Sequence, residues 1–162
     1  MARLDERVSM PDSSTVHAVG PVANAVRRSI EEAFETSYDI ECQRQAEMTV
    51  ALFEACAHAQ ETGWDGYSGE GVRIGAYVTA EAFLRVLPRY LPAPEISVHP
   101  DGQVAFDWTA DRGHVFAISV GDDDLISYAG LFGGSKVTGR EVFSGTFPAG
   151  ILPHILRIAA LM

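Results

Sequence analysis

The sequence has few cysteines: only Cys42 and Cys56 occur among its 162 residues. On one helix the two would lie about 21 Å apart along the axis, far beyond the reach of a disulfide. Two cysteines are also too few for a typical structural zinc site. Their spacing is close to four helical turns, so we expect both to be small buried side chains on one helix face.

A long apolar run is also missing. No apolar stretch of the sequence is long enough to cross a bilayer. The first residues carry charges on both sides of Leu4 and lack the apolar core of a secretory signal. We expect residues 1–20 to be a mobile polar lead and residues 21–162 to form a single domain. The expected location is the cytoplasm, without a membrane partner.

Basic residues are scarce between residues 31 and 70. This segment holds ten acids and one base, Arg44, so it carries −9 of the net charge of −10. Nucleic-acid binding through this segment is disfavoured, because phosphate contacts need clustered Lys and Arg. A basic protein partner fits the charge. A solvated helix face that only keeps the protein in solution fits it equally well.

Glycine and proline are both absent from Val22 to Thr62. Apolar residues recur there with helical spacing, so residues 21–62 are predicted to be helical. One unbroken helix would be about 60 Å long, more than a small domain covers. We therefore expect a break near residues 36–39, or an exposed helix that packs on another chain, most simply in a homodimer. The two apolar stripes are Val22, Val26, Ile30, Phe34 and Tyr38, then Met48, Leu52, Ala55 and Ala59.

The apolar period changes from helical to alternating after Glu95. Five alternating runs are joined by short turns such as Asp101-Gly102, which predicts a five-strand antiparallel meander. A short helix with Thr79 as its N-cap should precede the sheet. Pro88 could end this helix early, and Pro92 and Pro94 end it at the latest. A C-terminal helix should cover one face of the sheet. Residues 63–162 therefore complete an α+β fold. The residues expected to face the core are Phe106, Trp108, Phe116 and Ile118.

A glycine-rich loop, "ETGWDGYSGE" at residues 61–70, follows the helical segment. Glycine permits positive φ, and Asp65-Gly66 is a turn pair. Trp64 and Tyr67 can pack their rings inward while their polar tips reach partners. We interpret the loop mainly as a structural latch between the helical part and the sheet, with a ligand or partner surface as the alternative.

Residues 63–145 also resemble a group of small bacterial proteins of uncharacterised function. The shared features are a Trp-Asp-Gly-Tyr stretch, here at 64–67, a helix ending in proline, and a hairpin that ends in an acid-Trp pair, here Asp107-Trp108. Those proteins continue with Gly-Ala and a proline after the tyrosine, whereas this chain has Ser-Gly-Glu-Gly at 68–71. The resemblance implies a shared fold and no known activity.

Motifs for catalysis are weak. Asp122-Asp123-Asp124 could hold a divalent cation, but three acids in a hairpin turn are more often solvated. The histidines lack a paired His-x-x-x-His spacing, although His99 and His114 could face each other across a hairpin. The Gly-x-Ser-x-Gly pattern of a nucleophile elbow is absent. We predict no catalytic residue, no metal ion and no cofactor.

Two hypotheses for function remain. The first is a non-catalytic protein-binding protein, such as an antitoxin, an immunity protein or a phage-borne inhibitor of a nucleic-acid enzyme, that presents an acidic helical surface to a basic partner. Glu47, Glu54 and Glu61 are spaced by seven and would form one column on a helix. The alternative is a small enzyme or ligand-binding module that uses the Trp64–Tyr67 loop and the sheet face. The predicted partner-binding residues are Glu47, Glu54, Glu61, Trp64, Asp65 and Tyr67.

Overall fold

The computed structural model describes residues 21–162, so the predicted polar lead at 1–20 lies outside the described residues. It contains a long helix, a shorter helix, five strands and a C-terminal helix, which confirms the predicted α+β fold. None of the described helices has an apolar stretch long enough to cross a membrane. The elements are α1 (Pro21–His58), α2 (Ile74–Val86), β1 (Glu95–Val98), β2 (Val104–Asp111), β3 (His114–Val120), β4 (Leu125–Phe132), β5 (Ser135–Val142) and α3 (Leu152–Ala159).

Contacts divide the chain into two compact units between Tyr38 and Asp39. Residues 22–38 of the first unit are helical, and all of their side chains are exposed. The helix α1 continues through residues 36–39, so the expected break there is wrong. With neither glycine nor proline from Val22 to Thr62, the backbone has no local reason to leave the helix.

The second unit, residues 39–162, holds the hydrophobic core. From residue 48 onward α1 turns one face inward, where Met48, Leu52 and Cys56 are buried, and Ala59 directly after the helix is buried as well. The exposed Cys42 lies before this buried face. The prediction of two buried cysteines is therefore wrong for Cys42, because the buried face of α1 begins only at Met48.

The sheet is a meander in the order β1-β2-β3-β4-β5, with every neighbouring pair antiparallel. Phe106 lies opposite Ile118 and Trp108 opposite Phe116. All four side chains are at most 1% exposed, which confirms the predicted strand register. Because side chains alternate across a strand, this register puts one apolar face of the sheet toward the helices.

Both shorter helices pack on that apolar face. The Phe83 ring of α2 stacks on Phe106 at 5.0 Å between centroids, and Ile155 of α3 is fully buried. Helix α2 begins at Ile74 and ends before Pro88, so Thr79 is a buried residue inside the helix and the prediction that it is the N-cap is wrong. Arg73 stands at the cap position and makes no side-chain capping bond, so this helix start has none of the usual sequence signal.

Candidate functional site

Residues 59–72 fold back on themselves between α1 and α2. The Val72 N–H donates to the Ala59 carbonyl at 2.8 Å, and the Glu70 N–H donates to the Pro100 carbonyl at 2.7 Å. The returning end of the loop is thus tied both to the end of α1 and to the β1–β2 hairpin. A side chain at position 71 would lie 2.5 Å from the Gln60 carbonyl oxygen, so only glycine fits this close approach.

Trp64 is held inside this loop. Its indole N–H donates to the Glu70 carbonyl at 3.0 Å, and its ring meets His58 edge-on at 6.0 Å between centroids. The half-buried ring also packs against the hydrophobic core. The polar tip of Trp64 is therefore already used within the chain.

Asp65 is likewise used within the loop. Its carboxylate accepts the backbone N–H groups of Tyr67 and Gly69, each at 3.0 Å. These two hydrogen bonds lower the pKa of Asp65, because they favour its charged form. Tyr67, in contrast, is 90% exposed. Of the three loop residues predicted to bind a partner, only Tyr67 has its side chain directed to solvent.

Replacing Asp65 with alanine should lower the melting temperature of the protein in a pH-dependent way. A carboxyl group whose pKa is lowered by folding stabilises the folded state above its unfolded pKa of about 4, and this contribution disappears as pH falls through the lower folded value. The difference in melting temperature between wild type and Asp65→Ala should therefore be present at neutral pH and vanish in strong acid. Asp65→Asn keeps an acceptor oxygen, so its melting temperature should fall less than that of Asp65→Ala. An equal difference at every pH would contradict this role of the carboxylate.

The predicted acidic column is only partly helical. Glu47 and Glu54 lie on α1, but the helix ends at His58, so Glu61 stands in the following turn. The expectation of one helical column is therefore wrong for Glu61. All three side chains are exposed. Within residues 21–162 none of the three forms an ion pair; Glu47 accepts only the Gln43 amide N–H, at 2.9 Å.

An open apolar groove lies between the end of α1 and the start of α2. Its volume is about 400 Å³. Phe53 on one wall is 60% exposed and Ile74 on the other is 81% exposed, so large apolar side chains face solvent on both sides. We call this cavity the α1–α2 groove; it is lined by Phe53, Cys56, Ala57, Gln60, Val72, Arg73, Ile74 and Tyr77.

The unpaired charges near the groove are carboxylates. Arg73 forms ion pairs with Asp122 and with Glu70, each at 3.2 Å, and these carboxylates, Asp122 above all, raise the pKa of its guanidinium. Its positive charge is therefore compensated. On α1, Glu54 lies three residues before the groove residue Ala57 and is its neighbour on the helix surface. Glu61 directly follows the groove residue Gln60, so the groove has an acidic border.

Sequence reasoning missed this groove. Its two walls are far apart in the chain and meet only because the loop returns to Ala59. One signal was present: Val50, Phe53 and Ala57 have helical spacing on the face opposite the buried stripe, and all three are exposed. A second apolar stripe on a helix that already has a buried one indicates an interaction surface.

Groups that could support catalysis lie apart. His99 stands at the end of β1 beside Gln103, and His114 at the start of β3 beside Asp111, so these histidines lie at opposite ends of the sheet and do not face each other. Burial raises the pKa of the Cys56 thiol, which disfavours the reactive thiolate. Among the described residues, no group of three His, Cys, Asp or Glu side chains is placed to hold a metal ion.

The comparisons with known proteins assign no relationship: no family model, no curated protein and no solved structure matches the chain.

Proposed function

We propose that this chain is a non-catalytic protein-binding protein that takes a basic, amphipathic segment of another protein. The observation that carries the proposal is the α1–α2 groove, an open apolar cavity whose border carries carboxylates without a cationic partner. Exposed apolar surface of this kind, rimmed by polar residues, is typical of protein interaction sites. The acids beside it determine which partners fit.

The chemistry of the groove favours an amphipathic helix as the bound segment. Phe53 and Ile74 offer an apolar floor and walls for one face of such a helix, the usual arrangement when a helix lies in a groove. Lys and Arg side chains on the opposite edges of that helix would then reach Glu54 and Glu61. An antitoxin, an immunity protein or an inhibitor of a nucleic-acid enzyme would bind in this way, since proteins that bind nucleic acid present clustered basic residues.

The Trp64–Tyr67 loop contributes at the edge of this surface. Trp64 and Asp65 use their polar groups in hydrogen bonds within the loop. They thereby position the backbone that leads into the groove wall at Val72 and Arg73. Tyr67, 90% exposed, remains free to contact the partner, and tyrosine is enriched at protein interfaces.

Filling the groove with charge should abolish partner binding. Phe53→Asp/Ile74→Asp places two carboxylates where the apolar side chains now face solvent, and both positions are exposed enough for folding to survive. Affinity capture from the native host, quantified by mass spectrometry, should yield a basic protein with the wild type and at least tenfold less of it with this variant. The captured basic protein, once purified, should then bind the wild-type chain directly.

A matched control makes the same two kinds of substitution, Ile to Asp and Phe to Asp, in the first part of α1. Ile30→Asp/Phe34→Asp also replaces two exposed apolar residues, and its capture of the partner should equal that of the wild type. A captured protein that the groove variant retains, or that both variants lose equally, would contradict the proposed function.

A further inference from the structure

The first half of α1 carries an apolar ridge that the described chain leaves uncovered. Val22, Val26, Ile30 and Phe34 are 77%, 53%, 49% and 72% exposed and recur every fourth residue. Most of the stability of helices in proteins comes from packing of an apolar face, and these four side chains are exposed within the described chain. We therefore expect another apolar surface to pack on this ridge.

The ridge has the shape that a second helix requires. A shallow hollow of about 280 Å³ is lined by Ile30, Ala33, Phe34 and Ser37. This spacing, i, i+3, i+4 and i+7, is the four-residue hole that accepts one side chain of a facing helix. Ala33 and Ser37 are small and leave room between the larger side chains. Ridges of every fourth residue also pack against each other when two helices cross at about −50°, so the segment can pair with a copy of itself.

The charges on this segment set the direction of pairing. Arg27 and Arg28 precede Glu31, Glu32 and Glu35, and within the described residues none of these side chains forms an ion pair. Two copies running antiparallel bring the bases of one helix to the acids of the other, whereas a parallel pair sets like charges together. Opposite charges on facing helices select the partner and its orientation.

We propose that residues 22–38 form an antiparallel, two-fold contact with the same segment of a second copy of this chain. In a two-fold contact one surface serves both partners, which is what a ridge and a hollow on one helix provide. The residues of this contact differ from those that line the α1–α2 groove.

Light scattering across a range of protein concentrations tests the contact. The wild type should reach twice the chain mass of 17.5 kDa. Ile30→Asp/Phe34→Asp should remain at one chain mass, because two charged groups would replace the apolar side chains that the contact buries. Phe53→Asp/Ile74→Asp makes the same chemical change in the groove and should remain dimeric. Near-UV circular dichroism should show that the core at 39–162 is intact in both variants.

Exchange of charge tests the direction. Arg27→Glu/Arg28→Glu makes the whole segment acidic and should weaken dimerisation at least tenfold. Adding Glu31→Arg, Glu32→Arg and Glu35→Arg restores opposite charges and should restore the dimer. A wild type that stays at one chain mass, an Ile30→Asp/Phe34→Asp variant that still dimerises, or a charge-exchanged variant that remains monomeric would each overturn the proposal.

Discussion

Replacing Trp108 with alanine should lower the free energy of unfolding of the protein by about 3–5 kcal/mol, the usual cost of removing a large aromatic side chain from a core. Trp108 is 1% exposed and lies beside Phe116, with 6.4 Å between ring centroids. Its indole N–H donates to the Pro92 carbonyl at 2.8 Å, which ties the segment after α2 to the sheet. The alanine variant would lose both the apolar contacts and this hydrogen bond.

Two further variants separate these contributions. Trp108→Phe keeps most of the buried ring area and leaves the Pro92 carbonyl without its donor, so it should cost about 1–3 kcal/mol. Thr109→Ala changes the exposed neighbour on the opposite face and should stay within about 0.5 kcal/mol of the wild type. Urea unfolding followed by circular dichroism measures all three. A loss below about 1 kcal/mol for Trp108→Ala would mean that the ring is not part of the cooperative core.

The sheet was the most predictable part of the molecule. In β2 and β3 apolar residues alternate with small or polar ones, and a slip of one residue would expose all of Phe106, Trp108, Phe116 and Ile118 at once. Burial therefore fixes one register, and the sequence pattern states it directly. The turns were equally informative: Gly102 has φ of 78° and Gly133 has φ of 65°, conformations that glycine adopts without strain.

Helix ends were less predictable, because their causes lie outside the helices. Helix α1 stops at His58 although the next glycine is Gly63. The Ala59 N–H ends the helix by donating to the Cys56 carbonyl three residues earlier, at 3.2 Å. The Val72 N–H then donates to the Ala59 carbonyl. This second contact is made by a residue thirteen positions later, so no local pattern could place Glu61 outside the helix. The α1–α2 groove depends on the same return of the chain.

The side chains of the Trp64–Tyr67 loop were identified by type but not by role. Composition alone marks Trp64, Asp65 and Tyr67 as residues that can bind. Only the hydrogen bonds from Trp64 to Glu70 and from the 67 and 69 amides to Asp65 distinguish the two that shape the loop from the one that faces solvent.

Reversing the three acids predicted to bind the partner should weaken binding at least tenfold, or about 1.4 kcal/mol. Glu47→Lys/Glu54→Lys/Glu61→Lys replaces three exposed carboxylates that have no cationic partner within residues 21–162, so the proposed basic partner would be repelled by this surface instead of attracted. Folding should survive, since exposed substitutions seldom cost more than about 0.5 kcal/mol each. The matched control, Glu31→Lys/Glu32→Lys/Glu35→Lys, has the same net charge. It also removes the charge pairing of the proposed dimer contact, so binding is compared per chain and should equal that of the wild type.

The association rate of the purified partner, measured against salt concentration with each variant immobilised at low density, tests the acidic surface most directly. Exposed charges are screened beyond about 8 Å at physiological ionic strength, so the wild type and the matched control should lose association rate steeply as salt rises. The Glu47, Glu54 and Glu61 variant should start slower and respond less to salt. Equal association rates and equal salt dependence for a well-folded triple variant and the wild type would contradict the proposed acidic binding surface.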